Sequence, residues 1–427
     1  MTREPSAASL VAEGFSRIAD AVGVVLLCWL GYRMFFVYDS ALQGRALLVG
    51  LIGLLACWTD RSAKKDAPLA MLAYVAIGLL SAAVHRWSAL ASMPESTWLS
   101  LFTPASHLAV MATFIYGAAY LLRTPWRLSW FVVLVAAAVG ILASQIAFDR
   151  ASVGFVYERG GPSLPSVPHW SGIHGASLFL TVGLGLVSAI ILASRSLGRL
   201  VSGTLLAAGL FVVAYLNGSR GGLVSMGLVA SAMALFAVVG RSRFRLRPWV
   251  LLGMVAVLLV GGAVAMWSVR TRVANGQDLS GRTLIWVATA KLALDHPWLG
   301  AGPGRFSQAI TESGHADYYI THYGGLNNAH NLFLQVAAET GMVSALCLLM
   351  LTLWAMRACW RVWVRGGTPI VALGVMFAIF GFLVHSVSEN VLEARAEVER
   401  TRLLVWMVLA AACALHRLPK AYADQRA

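Results

Sequence analysis

Apolar runs of membrane-crossing length recur along almost all of the 427-residue chain, and this recurrence restricts the fold more than any motif does. A bilayer core about 30 Å thick takes roughly 20 apolar residues of α-helix at 1.5 Å rise per residue. Such spans are predicted at 18–37, 42–58, 67–85, 98–122, 128–147, 172–193, 200–216, 222–239, 248–267, 341–356, 368–386 and 403–415. With 59% hydrophobic and 12% charged residues and a mean hydropathy of +0.72, the chain has too little polar surface to cover a soluble globule. The expected fold is an all-α polytopic membrane protein of about twelve transmembrane helices.

Lys and Arg are retained on the cytoplasmic side of short loops, so they predict the orientation. Alternate connections carry Arg61, Lys64 and Lys65; Arg123 and Arg127; Arg195 and Arg199; Arg241, Arg243, Arg245 and Arg247; and Arg357, Arg361 and Arg365. Arg3 and Arg17 precede the first span and Arg417, Lys420 and Arg426 follow the last, which puts both termini on that side. These residues account for most of the net charge of +14, and no soluble segment carries a basic run interleaved with aromatics, so nucleic acid is not an expected partner. The five cysteines fall in or beside predicted spans and imply no disulfide framework. The bulky segment after the first run offers no small-residue cleavage site, so that run is read as a retained span.

Three parts follow from this pattern: nine spans over 1–269, an outward, periplasmic loop over 270–340, and three spans with a cytoplasmic tail over 341–427. The loop is long for a connection, and long loops tend to carry function. Ser280 is a plausible N-cap for a helix over 281–295, which the pair His296-Pro297 ends. Arg282 falls in the first turn of that helix, where a cation opposes the dipole unless an anion is close by. It reads either as part of an anion site built with the helix N–H groups or as an arginine facing lipid headgroups. Arg220, in NGSRGG between two spans, reads either as one wall of a phosphate-binding turn built on Gly218, Gly221 and Gly222 or as a snorkelling residue of a tight hairpin. Arg305 in the glycine-rich LGAGPGRF is a weaker candidate, since GPGRF lacks the GK[ST] ending of a P-loop.

His330 lies in NNAHNLFLQVAAETG, which closes the loop. The spacing predicts a short interfacial helix capped by Asn328 and starting at Ala329, with His330 in its first turn, where the dipole favours the neutral imidazole that a general base requires. A span starting directly at His330 would sink Glu339 about 13 Å into the bilayer, which is costly. Gly341 is read as the break before the next span. His315, His322 and His330 are spaced by seven and eight residues, which matches no compact metal-ligand pattern, and no Asp-x-Asp pair is present to hold a divalent cation on a diphosphate. His107 and His385 read as packing or cavity residues.

Taken in order, SRGG at an outward hairpin, SGRTLIW opening the loop, HPWLGAGPGRF in its middle and AHNLFLQVAAETG at its end resemble the O-antigen ligase and polymerase superfamily, which includes the lipid A core:surface polymer ligases. The resemblance covers 216–341 by motif and the rest by hydropathy. It implies a fold similar to that of the C-type membrane glycosyltransferases and a metal-independent, inverting transfer of O-antigen from undecaprenyl diphosphate to lipid A core oligosaccharide, at the periplasmic face of the bacterial inner membrane. No cofactor is implied. His330 takes the place of the family's proposed general base, Arg220 and Arg282 those of the arginines on the donor diphosphate, and Arg305 and Asn331 complete the expected substrate-binding set. An O-antigen polymerase and a transferase acting on a protein hydroxyl, such as a pilin, are the enzymatic alternatives. A glycolipid flippase is the non-enzymatic one, although the basic residues here cluster outside the spans.

Overall fold

The computed structural model describes residues 7–36, 42–60, 69–89, 98–153, 172–192, 197–239, 280–365, 369–389 and 399–418. Every regular element among them is an α-helix. Eight long helices come first: α1 (Ala7–Phe36), α2 (Leu42–Thr59), α3 (Leu69–Ala89), α4 (Trp98–Leu121), α5 (Pro125–Val153), α6 (Gly172–Leu192), α7 (Leu197–Asn217) and α8 (Arg220–Val239). Four shorter ones follow, α9 (Ser280–Asp295), α10 (Phe306–Glu312), α11 (Asp317–Tyr323) and α12 (Leu332–Thr340), and then α13 (Met342–Arg365), α14 (Pro369–Ser388) and α15 (Glu399–Arg417). Eleven of the twelve predicted spans thus coincide with helices, while the span at 248–267 lies outside the described residues. Pro125–Val153, Leu200–Asn217, Met342–Arg365 and Ile370–Ser388 are long and apolar enough to cross a membrane by length and composition, and shorter apolar helices accompany them. This is the construction of a multi-pass membrane protein.

Several helices overrun the predicted spans. α1 starts at Ala7, eleven residues before the predicted boundary at 18, and within the span it carries Asp20, whose carboxylate is paired with Arg123 and Arg127. α13 continues past 356 to Arg365, because arginines in a last turn lie at the favourable end of the helix dipole.

Hydrophobic attraction between helices is weak in lipid, so close packing at small residues must hold the bundle together. α6, α14 and α8 form its centre. A Cβ on Gly185 of α6 would lie 2.5 Å from the Ala378 nitrogen of α14, and one on Gly381 of α14 would lie 2.7 Å from the Thr181 methyl of α6. The pair α2 and α4 is equally close, since a Cβ on Gly53 or Gly117 would collide with the facing helix backbone.

Residues 280–340 build a small core of their own from Ile285, Leu292, Phe306, Ile310, Leu326 and Ala338. α12 is the wedge between this core and the bundle, with Ala337 and Ala338 in the first and Leu332 in the second. The glycine-rich turn closes over the carboxyl end of α12. Ala301 N–H donates to the Ala338 carbonyl at 2.7 Å, Gly302 N–H to that of Glu339 at 2.9 Å, and Met342 N–H to that of Pro297 at 2.9 Å. Gly300 and Gly341 have φ of +67° and +95°, and a Cβ on either would strike the backbone of the other segment. Ser81 and His85 of α3 complete the seam by donating to the Leu299 and Gly300 carbonyls. These two glycines serve close approach of backbone to backbone.

Candidate active site

α14 carries no charged residue over its length and ends at Ser388. Glu389 extends it by one residue, its N–H donating to the His385 carbonyl at 3.0 Å. Its side chain is only 4% exposed, and a carboxylate so placed must find donors. Three segments remote in sequence supply them.

Arg282 of α9 gives Nη2 to Glu389 Oε1 at 2.5 Å and Nη1 to the Ser388 carbonyl at 2.7 Å. The anion that a first-turn arginine calls for is therefore this carboxylate. His174, in the first turn of α6, donates from Nδ1 to the same oxygen at 3.0 Å. His330 donates from Nδ1 to Oε2 at 3.1 Å, and its ring meets that of His174 edge-on with centroids 6.3 Å apart. Burial acts to raise the Glu389 pKa, but the hydrogen bonds from His174 and His330 and the charge of Arg282 outweigh it and hold the carboxyl well below the ordinary carboxylate range. The three donors stay 36%, 46% and 33% exposed, so each has a side turned outward from the carboxylate that anchors it.

The backbone at His330 differs from the expected helix start. α12 begins at Leu332, its N-cap is Asn331, and Asn331 Oδ1 accepts the Leu334 N–H at 3.0 Å. Asn328 instead accepts the His330 N–H at 3.0 Å, and Gln335 Oε1 accepts the Ala329 N–H at 2.8 Å. His330 therefore precedes the helix, at φ +47°, the one non-glycine residue of positive φ among those described. The sequence offers amides at 327, 328 and 331, and the cap is the one directly followed by the apolar Leu332 and Phe333. The dipole argument for His330 loses its premise here, and Glu389 is the group that addresses its ring.

The SRGG turn reaches the same place. Only Gly218, at φ +81°, and Ser219 separate α7 from α8, and Ser219 Oγ caps α8 by accepting the Gly222 N–H at 3.2 Å. A Cβ on Gly221 would lie 2.8 Å from Ser388 Oγ and 4.0 Å from Glu389 Oε1, and one on Gly222 would press on Ser177 of α6. Asn217 ties the turn to α6 through the Ile173 carbonyl at 2.8 Å and Ser177 Oγ at 2.9 Å. The backbone of Arg220 is thereby held beside Glu389, while its side chain lies outside the described residues.

The remaining candidates have other partners. Arg305 lies at the start of α10, where Nε meets Gln308 Oε1 at 3.4 Å, and the buried Asn331 acts as the cap. His315 pairs with Asp295 and His322 with the Tyr318 carbonyl, so the three loop histidines are dispersed. His385 is fully buried one turn before Glu389, and its Nε2 meets the His174 carbonyl at 3.2 Å. It shapes the floor of the site.

No curated protein matches this chain. Residues 203–349 match the family model of the O-antigen ligases, a segment that contains Arg220, Arg282, Arg305, His330 and Asn331 but neither His174 nor Glu389. The match implies a membrane enzyme of glycosyltransferase type that handles polysaccharide and lipid-linked substrates. By this match the segment over residues 203–349 is similar to the O-antigen ligases.

Proposed function

We propose that the protein transfers O-antigen polysaccharide from undecaprenyl diphosphate to a sugar hydroxyl of lipid A core oligosaccharide, with inversion and without a metal. The observation that carries this reading is the meeting of Arg282 and His330 on the two oxygens of one carboxylate. A glycosyl transfer of this kind needs a cation where the leaving diphosphate gathers charge and a base where the acceptor hydroxyl loses its proton. Arg282 keeps outward N–H groups for the diphosphate after its bonds to Glu389 and Ser388. Arg220, at the adjoining turn, supplies the second cation, Arg305 makes a further contact along the glycan, and Asn331 holds the backbone beside His330 as the cap of α12. His330 removes the proton as the acceptor oxygen attacks the anomeric carbon. The reaction faces the periplasm at the inner membrane, with both termini cytoplasmic, a reading that the Lys and Arg distribution supports.

The test is made in cells that produce the lipid-linked glycan. A His330→Ala strain is expected to accumulate full-length donor while its lipopolysaccharide ends at bare core. Core bearing a single repeat unit would identify a polymerase instead, and normal O-chain would remove His330 from the chemistry.

A further inference from the structure

We infer that Glu389 is the positioning residue of the transfer: by accepting the Nδ1 proton of His330 it fixes the imidazole tautomer whose Nε2 lone pair takes the proton of the acceptor hydroxyl. The inference rests on the transferase reading above. Glu389 is buried and surrounded by donors, so its oxygens act only as acceptors toward Arg282, His174 and His330. The proton between His330 and Glu389 must then reside on Nδ1. A neutral imidazole has one ring proton, which leaves Nε2 with its lone pair, and among the described residues Nε2 has no hydrogen-bond partner. The base is aimed by a carboxylate behind it.

The backbone supports the same purpose. A histidine at positive φ is uncommon and costly, and it is held here by the bonds to Asn328 and Gln335 on either side of the residue. Relaxing it would swing the ring away from Glu389. The carboxylate also sets the spacing of the reacting partners, with Arg282 and His174 on Oε1 and His330 on Oε2. In the transfer, the acceptor O–H proton passes to Nε2 as the new C–O bond forms. The bond from the anomeric carbon to the diphosphate oxygen breaks, and its electron pair leaves with the diphosphate. The resulting imidazolium keeps its Nδ1–H on Glu389, which stays ionised throughout.

A carboxylate that served only to neutralise Arg282 would give a different outcome, and the pH profile separates the two. The groups facing Glu389 are Arg282, His174 and His330, with His385 one turn behind. The experiment compares purified wild type with Glu389→Gln, Glu389→Asp and His330→Ala, using a polyprenyl diphosphate-linked glycan and lipid A core as substrates. For Glu389→Gln, kcat is expected to fall roughly 10²- to 10⁴-fold and the rising limb of kcat against pH to move to lower pH, because the imidazole has lost its anionic neighbour. Glu389→Asp is expected to recover part of the rate and the wild-type limb. A Gln variant within threefold of wild type, or one slowed with an unmoved limb, overturns the inference. If that variant does not fold, ¹⁵N spectra of histidine-labelled wild type decide, the His330 signal being assigned by its loss in His330→Gln. A proton on Nδ1 supports the inference and one on Nε2 overturns it. An active His330→Ala enzyme would refute the transferase reading itself, whereas an inactive one beside an unaffected Glu389→Gln would refute only the role of Glu389.

Discussion

Two buried carboxylates, Asp20 and Glu389, organise opposite ends of the bundle, and each gathers basic side chains from distant segments. Arg127 lies in the first turn of α5 and Arg150 in its last, about 35 Å apart along the helix. The Arg127 end belongs to Asp20. The Arg150 end donates Nε to the Leu216 carbonyl and so adjoins the SRGG turn and Glu389. Asp20 is held by a two-pronged Arg127 fork at 2.9 and 2.8 Å and by Arg123 at 2.6 Å, and both guanidinium groups also bond backbone carbonyls, those of Leu121 and Tyr120. Arg123 further lies 3.9 Å over the Tyr120 ring. The partners of Asp20 are permanent cations, each bonded to backbone as well, which suits a fastening between α1 and the α4–α5 turn. Glu389 has one arginine and two imidazoles, all partly exposed, and an imidazole, unlike a guanidinium, offers a second ring nitrogen for chemistry. The nature of the donors, more than burial or charge count, separates a fastening from a site of chemistry.

The sharpest way to break this contrast is to remove the chemistry from one end and the fastening from the other. His330→Ala should reduce transfer by at least about 10²-fold and leave the melting temperature near that of wild type, measured in the same detergent preparation. Activity in EDTA should match activity in Mg²⁺, and transfer that depended on the added cation would overturn the metal-free proposal. Next in size is Arg282→Lys. A lysine keeps the charge but cannot bond Glu389 and Ser388 with one planar group while also meeting a diphosphate, so a loss of roughly 10- to 100-fold in kcat/KM is expected. Wild-type kinetics for the lysine variant would mean that only charge matters there.

The parts of the site read from sequence were those written in local pattern. Arg282 stood out because a cation in a first turn is out of place, and the structure supplies the missing anion. The AHN segment stood out because amides and a histidine interrupt apolar sequence, although the choice between Asn328 and Asn331 as cap turned on a single turn of chain. Glu389 and His174 were missed for a common reason. Each lies at the end of an apolar helix, where a lone polar residue reads as the start of a loop, and their pairing arises only when α6, α9 and α14 close together. A usable signal did exist in HSVSEN: Glu389 is the first charged residue after a whole apolar helix, in a chain with only 19 acidic residues. The helices themselves were legible from hydropathy, but their ends were not, because helical backbone continues through polar residues beyond the apolar run, as in α1 from Ala7 and in α13 to Arg365.

At the fastening end the expected effect is on stability alone. Asp20→Asn leaves Arg123 and Arg127 facing one another without their anion, and losing one partner of a buried pair costs several kcal/mol. Both arginines are partly exposed, so about 2 kcal/mol is the expected cost. Thermal unfolding should show the loss, while kcat measured well below the transition stays within about twofold of wild type. A variant of wild-type stability but defective in transfer would make Asp20 part of the chemistry and erase the distinction between the ends.

The smallest effect is the most specific to Glu389. Its carboxyl is held below the ordinary value of 4.5, so in the unfolded chain it takes up a proton at a higher pH than in the folded protein. The stabilisation it brings is complete above about pH 4.5 and is lost as pH falls through the folded-state value. The gap in melting temperature between wild type and Glu389→Gln should therefore not narrow between pH 7 and pH 5, and should close only below about 4.5. A gap already closing between pH 7 and pH 5.5 would mean that the carboxylate is not held ionised by Arg282 and the two histidines. It would then be available as a proton donor, and the contrast with Asp20 would have to be drawn on proton transfer by the carboxylate itself.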